Sequence, residues 1–265
     1  MDLGLAGKRA VVTGGSRGIG LAIASALAAE GADIALLARD PARLETARHR
    51  LSDSGRRILA LSADTTDDTA VRAAIERTAR ELGGVDILVN SAAEPAGAGT
   101  PRALADLVDD DLLAVIDTKV LGYLRCARAA APYMIAGSWG RIINISGLAA
   151  RSAGLPSGSI RNVAVAALTK NLADELGRSG INVTVVHPGA TVTERTPAQV
   201  AGYAAANGVT EAEAAGRLAA GVSIGRVVTA AEVADVVTFL ASPRSVAING
   251  DAIAVGGGAL GAIHY

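Results

Sequence analysis

The sequence predicts an α/β protein built on a parallel sheet with helices on both faces. Short β-branched runs alternate with longer helix-forming runs along almost the whole chain. A glycine-rich turn joins the first strand to the first helix. Half of the 265 residues are apolar, which is enough for one sizeable core. Strands that alternate with helices require right-handed crossovers, and these place helices on both sides of a parallel sheet.

The elements follow in order. "RAVVTG" is a β-branched strand that ends in a glycine turn, and "GIGLAIASALAAEG" is a helix closed by Gly31. "DIALLAR" is the second strand. "PARLETARHRLSDSG" is a helix with Pro41 at its start and Gly55 at its end. "RILALSAD" is a strand, "DDTAVRAAIERTARELGG" a helix and "VDILVNSAA" a strand. Residues 106–135 form one long helix, "GRIINIS" a strand, residues 158–179 a helix and "INVTVVHPG" a strand; the last strand lies near "DAIAVGG". No linker or repeat divides residues 1–265, so a single domain is expected. Residues 196–221 break the alternation, and their Ala, Glu and Gly content predicts a small helical lid.

Composition narrows the function. With 25 basic and 26 acidic residues, the chain lacks the basic excess that a nucleic-acid or membrane-surface partner requires. The single cysteine, Cys126, excludes an internal disulfide and fits a buried apolar position in a reducing compartment. No leader segment and no apolar run of membrane-spanning length is evident, so a cytoplasmic protein is expected. Three histidines without shared spacing predict no metal site.

The chemistry begins at "TGGSRGIG", residues 13–20. Its glycines allow a tight turn and a close approach to a pyrophosphate. The helix that follows offers free N–H groups and a positive dipole end. The strand–turn–helix context makes dinucleotide binding the preferred reading over a plain turn. Gly14, Ser16, Arg17, Gly18, Ile19 and Gly20 are the residues of this cradle. The second strand ends in "LLAR" with no acidic residue to meet a ribose diol. Arg17 and Arg39 suit a 2′-phosphate instead, which predicts NADP over NAD.

With "NSAA", "GRIINIS", "LTKNLADEL", "INVTVVHPG", "TVTER", "GRVVTAAEVADVVTFLAS" and "ING" before a final "VGGG", the chain resembles the short-chain dehydrogenase/reductase family over nearly its whole length. The resemblance implies a Rossmann-type, doubly wound, seven-stranded parallel sheet, usually assembled as a homodimer or homotetramer. It implies that Asp64 contacts adenine, although this Asp could instead cap the next helix. It also places Asn90, Pro188, Gly189 and Thr193 along the nicotinamide half. Where the family usually reads Asn-Asn-Ala-Gly, this chain has Asn90, Ser91, Ala92 and Ala93, and the last change adds a methyl group near the ribose.

The family's Asn, Ser, Tyr and Lys tetrad is where the resemblance breaks. Matching backwards from "LTKNLADEL" puts the Tyr position at Gly158 and the Lys position at Asn162. A shift of one residue gives Ser159 and Val163; a shift of two gives Ile160 and Ala164. The Ser position falls at Gly147, just after Ser146, and the Asn position at Lys119. Ordinary reductase chemistry through the standard tetrad is therefore not expected. Four side chains remain as candidates for acid/base work: Lys119, Ser146, Glu94 and His187. Lys119 and Tyr123, four residues apart, can approach one another, and Arg151 or Arg161 could bind an anionic substrate. Each of these also has a purely structural reading. Three functions stay open. One is an NADP(H)-dependent enzyme on a small carbonyl or alcohol with a non-standard proton donor. The others are a non-redox enzyme on the same scaffold and an inactive nucleotide-binding protein.

Overall fold

A computed structural model describes residues 1–93 and 104–261. The strands are β1 (Arg9–Thr13), β2 (Asp33–Ala38), β3 (Ile58–Ser62), β4 (Ile87–Asn90), β5 (Gly140–Ile145), β6 (Ile181–Pro188), β7 (Thr191–Val192), β8 (Val228–Thr229) and β9 (Ala252–Val255). The α-helices are α1 (Gly18–Ala29), α2 (Pro41–Arg50), α3 (Asp68–Leu82), α4 (Asp109–Val115), α5 (Gly122–Ala136), α6 (Pro156–Leu176), α7 (Thr196–Asn207), α8 (Glu211–Ala219) and α9 (Ala230–Leu240).

Seven strands form one parallel sheet in the order β3-β2-β1-β4-β5-β6-β9, and β7 with β8 makes a separate two-stranded pair. The sheet is doubly wound as expected. Strand order reverses between β1 and β4, and a ligand cleft belongs at the carboxyl ends of the strands beside such a switch point.

Alternation along each strand splits the core in two. Val12, Ile34, Leu36 and Ile143 face Ile23 and Leu27 of α1 and Val233 and Val237 of α9. Val11, Ala35, Leu37 and Ile142 face Val71 and Ile75 of α3, Cys126 and Met134 of α5, and Ala173 of α6. Cys126 is a buried thiol, and burial pushes its pKa up to about 12, which fits a packing role.

Two helices depart from their expected bounds. The predicted helix over residues 106–135 is interrupted by a π-helical turn, Ile116–Leu121, which joins α4 to α5. The buried face of α6 carries Gly158, Arg161, Asn162, Val165, Thr169, Ala173 and Leu176, the three-to-four spacing of one helical stripe. This helix starts two residues before the expected Gly158. Pro156 sits in its first turn, where a missing N–H costs nothing. Residues 196–221 contain α7 and α8, the helical excursion expected there. Among the described residues, no helix is long and apolar enough to cross a membrane.

Candidate active site

The carboxyl ends of the central strands open into one cleft of about 670 Å³. Gly14, Ser16, Arg17, Gly18, Ile19, Gly20, Arg39, Asp64, Pro188, Gly189 and Thr193 all line it, so most of the predicted cofactor residues share one cavity. Gly14 has φ +67°, and a β-carbon there would lie 2.9 Å from the carbonyl oxygen of Ser91. A β-carbon on Gly20 would collide with the backbone of Gly14. The turn is therefore tight because two of its positions tolerate nothing larger than hydrogen. Thr13 Oγ1 accepts from the backbone N–H groups of Ser91, at 3.0 Å, and Ala92, at 3.1 Å, which fixes the β4 loop against the turn.

The N-cap residue of α1, Arg17, makes no side-chain cap, and Gly18, Ile19 and Gly20 of its first turn line the cleft. The Gly18 N–H donates to the Glu194 carboxylate at 3.2 Å. An anion already stands where a pyrophosphate oxygen would be received. Arg17, from the turn before α1, and Arg39, just after β2, line the cleft with Arg43, for which no sequence motif spoke. Arg43 is one turn into α2, and Asp40 caps that helix by accepting from its backbone N–H at 3.1 Å. The glycine cradle fits a dinucleotide, and three arginines line the same cavity; Arg43 is ion-paired with Asp40 at 3.1 Å.

Asp64 lines the cleft, but one of its oxygens accepts from the backbone N–H and hydroxyl of Thr66, both at 2.9 Å. Asp67, not Asp64, caps α3. Asn90 requires a correction, because its side chain does not line the cleft. It is fully buried, and its Nδ2 donates to Asn144 Oδ1 at 2.9 Å. Asn144 Nδ2 then donates to Thr169 Oγ1, also at 2.9 Å, so the two asparagines bridge β4, β5 and α6 beneath the floor.

At the other end of the cleft lie Lys119, Ser146, Gly147, Arg161 and Asn162. Lys119 comes from the π turn. Its Nζ donates to Asn162 Oδ1 at 2.8 Å and to the carbonyl oxygen of Ser146 at 3.0 Å. The side chain is 3% exposed. Burial, helped by the neighbouring Arg161 charge, brings its pKa down to about 7. Lys119 and Tyr123, which their spacing lets approach one another, take different hydrogen-bond partners. The Tyr123 hydroxyl donates to the Ile145 carbonyl at 2.8 Å, and its pKa is raised by complete burial. Lysine and tyrosine thus hold consecutive carbonyls of β5 and its end.

The other candidates separate clearly. Ser146 lines the cleft, but its hydroxyl donates to the Asn162 carbonyl at 3.1 Å. His187 does not line it; its Nδ1 lies 3.0 Å from the Gly147 carbonyl oxygen. Burial and the Arg151 charge lower its pKa to about 4, so the ring is neutral at pH 7, which fits the structural reading of this residue alongside the Gly147 contact. Glu94 lies outside the described residues. Gly158 and Ser159 do not line the cleft, and Val163 is 51% exposed, whereas Asn162 faces the cavity. Of the positions the three registers offer, only Asn162 lines the cleft. Arg161 is 5% exposed and lines the cleft, so the surface reading of this residue does not hold. Its sequence signal was adjacency to Asn162 on the buried stripe of α6.

Comparison with known proteins agrees with this geometry. The family model described as short chain dehydrogenase matches residues 8–204. The short-chain reductase protein NovJ of Streptomyces niveus is 33% identical over 250 residues, 94% of this chain and 92% of that protein. The crystal structure of L-sorbose reductase from Gluconobacter frateurii, complexed with NADPH and L-sorbose, matches with a TM-score of 0.92 and 32% identity. That match covers 99% of this chain and 100% of the other. An NAD⁺-bound xylitol dehydrogenase matches at 0.87 and 28% identity, covering 96% and 99%. A doubly wound sheet, a glycine cradle at its switch point and these relatives together show that the chain belongs to the short chain dehydrogenase family.

Proposed function

We propose that this protein is an NADP(H)-dependent oxidoreductase that interconverts a small carbonyl compound and its alcohol, with Lys119 as proton donor and acceptor. The observation that carries this reading is the pair of hydrogen bonds from Lys119 Nζ to Asn162 and Ser146 at the floor of the cleft. An ammonium has three N–H donors. Two are held by these acceptors, and the third is left for a substrate oxygen. Once that proton is given up, the neutral amine keeps both hydrogen bonds and turns a lone pair toward the product alcohol. A pKa near 7 suits a group that must both give and take a proton at neutral pH.

When bound, the dinucleotide supplies or receives the hydride at the substrate carbon. Arg17 before α1, with Arg39 and Arg43 after β2, supports the phosphorylated form of the cofactor, as does the NADPH in L-sorbose reductase; the xylitol dehydrogenase carries NAD⁺ instead. In reduction, the hydride goes to the carbonyl carbon and the Lys119 proton to its oxygen, which closes the balance. Asn162 and the Ser146 carbonyl hold the amine in place, and the buried Tyr123 anchor fixes the strand end that carries that carbonyl. We also propose that the chain self-associates through α4, the π turn, α5 and α6, where Leu113, Leu121, Tyr133, Ile135, Ile160 and Val163 are exposed.

Titration followed by NADPH fluorescence, and then a carbonyl panel followed by NADPH oxidation, tests the reading. NADPH should bind more tightly than NADH, Arg39→Asp should reverse that order, and at least one small carbonyl should be turned over. Equal affinity for both cofactors contradicts the NADP assignment. Tight binding with no turnover across ketones, aldehydes and oxo acids contradicts the redox assignment.

A further inference from the structure

The excursion that carries α7 and α8 has little side-chain packing to hold it. Ala204 is the only buried residue of α7, and Ala214 the only one of α8. A helix pair that buries one small side chain from each helix gains little from the hydrophobic effect, and such regions lie at the low end of local stability. Yet α7 begins directly at the cleft. Thr193, Glu194, Arg195 and Gln199 line the cavity, and the Glu194 carboxylate reaches the Gly18 N–H.

Backbone pairing holds the excursion instead. At its base β7 pairs with β8, Thr191 with Val228 and Val192 with Thr229. The residues after β9 supply a second hold, on the stretch that leaves α8. The Ser223 N–H donates to the Gly258 carbonyl at 2.9 Å, the Ile224 N–H to the Gly257 carbonyl at 3.2 Å and the Leu260 N–H to the Gly221 carbonyl at 3.3 Å. Val222 and Ala259 form an antiparallel bridge between them. The approach is close. Gly257 and Gly258 have φ +74° and +85°, and a β-carbon would lie 2.8 Å from Ile224 and Val222 at the first and 2.8 Å from Ser223 Oγ at the second. The same segment is fixed to the cleft wall. The Gly189 N–H donates to the Val255 carbonyl at 3.1 Å, and a β-carbon on Gly256 would lie 3.2 Å from the Gly189 backbone. Ile224 is 52% exposed and Leu260 63%, so water competes for these bonds, and the contact can open while the sheet stays folded.

We propose that residues 257–260 latch α7 and α8 as a lid beside the cleft, and that release of this latch sets how readily a nucleotide cofactor enters and leaves. Control over the cofactor rests on the NADP(H) reading above; the latch itself does not.

Hydrogen exchange in the unliganded protein reads the latch, and stopped-flow displacement of NADPH reads its effect on the cofactor. Gly257→Ala breaks the latch from the β9 side, and Ser223→Pro removes its shortest hydrogen bond from the lid side. In both variants the amides of residues 196–219 should exchange faster by about tenfold or more, those of β5 and β6 should not change, and NADPH should dissociate faster. Gly261→Ala, at φ +70° with nothing within 4 Å of its β-carbon, is the control and should alter neither reading. Lid exchange that is unchanged in both variants, or raised equally by Gly261→Ala, overturns the latch. Faster lid exchange with an unchanged NADPH dissociation rate overturns its control of the cofactor. Failure of NADPH to bind the unaltered protein removes the cofactor reading, while exchange in the unliganded protein still decides the latch. Should Gly257→Ala not fold, Ser223→Pro, which leaves residues 257–260 intact, decides.

Discussion

By the motif match expected from the sequence, Lys119 stands at the family's asparagine position and, in the unshifted register, Asn162 at the lysine position; on that reading an amine and an amide trade places, and the two side chains share a 2.8 Å hydrogen bond. This exchange explains why putting back the lost tyrosine and lysine alone should fail. A β-carbon at Gly158 would find only ordinary contacts, 3.5 Å from Leu155 and 3.8 Å from Ala149, so Gly158→Tyr has room to begin. Asn162→Lys, however, would set a second ammonium against Lys119 and remove the acceptor that holds it. Gly147→Ser is obstructed as well, because a β-carbon there lies 3.0 Å from Asn162 Nδ2. The double variant Gly158→Tyr with Asn162→Lys should show no appreciable NADPH-dependent ketone reduction. Adding Gly147→Ser and Lys119→Asn should be needed before turnover appears, and robust activity from the double variant would contradict this account. Lys119 also leaves a mark on stability. Its pKa falls from 10.5 in the unfolded chain to about 7 in the fold. Between these values the unfolded chain holds a proton that the folded chain has released, so unfolding free energy rises with pH there. Below about 7 both states hold the proton, and the penalty for burying the charge is fully present. Chemical denaturation from pH 7 to 10 should show a slope of up to about 1.4 kcal/mol per pH unit from this group. Lys119→Met should remove that component, and an identical slope in the variant would contradict it.

At the scale of elements, the π turn is what carries Lys119 to the cleft. It is pinned from both sides. Gly122 lets α5 approach Thr65 so closely that a β-carbon would lie 3.0 Å from its side chain, and Arg125 bridges the Thr65 carbonyl and the Asp117 carboxylate at 3.1 and 2.7 Å. π-helical insertions of this kind commonly mark functional positions. Glu194 sits just ahead of α7 and occupies the N–H of Gly18 that a pyrophosphate would need. Glu194→Gln should therefore tighten NADPH, by about two- to five-fold for a surface charge at a helix N-terminus. Weaker binding in that variant would show that Glu194 supports the cofactor instead of competing with it. The strands, the glycine cradle and the helix over residues 158–179 were legible because period, turn residues and β-branched runs all agreed. The π turn was not, since one extra residue in a helical turn leaves no trace in composition. Asn90 was misplaced because a motif match gives position along a strand end, whereas its direction is set by the Asn144 and Thr169 partners across the sheet. Arg161 was open between an anion-binding and a surface reading, because burial of a charge depends on the cleft it lines, and that cleft is assembled from strands distant in sequence.

At the scale of the molecule, the sheet's switch point gathers chemistry from six strand ends, while α4, α5 and α6 leave apolar side chains exposed away from it. Leu113 is 63% exposed and Val163 51%. Several exposed apolar residues on neighbouring helices fit burial against a second copy. Light scattering at micromolar concentration should give a dimer or tetramer, and Val163→Lys together with Leu113→Lys should shift it toward monomer. A monomeric unaltered protein would contradict the self-association.

The most direct test of the central claim is the single-turnover rate of NADPH oxidation in Lys119→Gln, measured with a carbonyl substrate found in the panel. Removing a positioned proton donor should lower the rate by about 10²–10⁴-fold while NADPH affinity stays unchanged, and in the unaltered protein the rate should fall as pH rises through about 7. An undiminished rate in Lys119→Gln, or a pH profile the substitution does not alter, would show that another group supplies the proton.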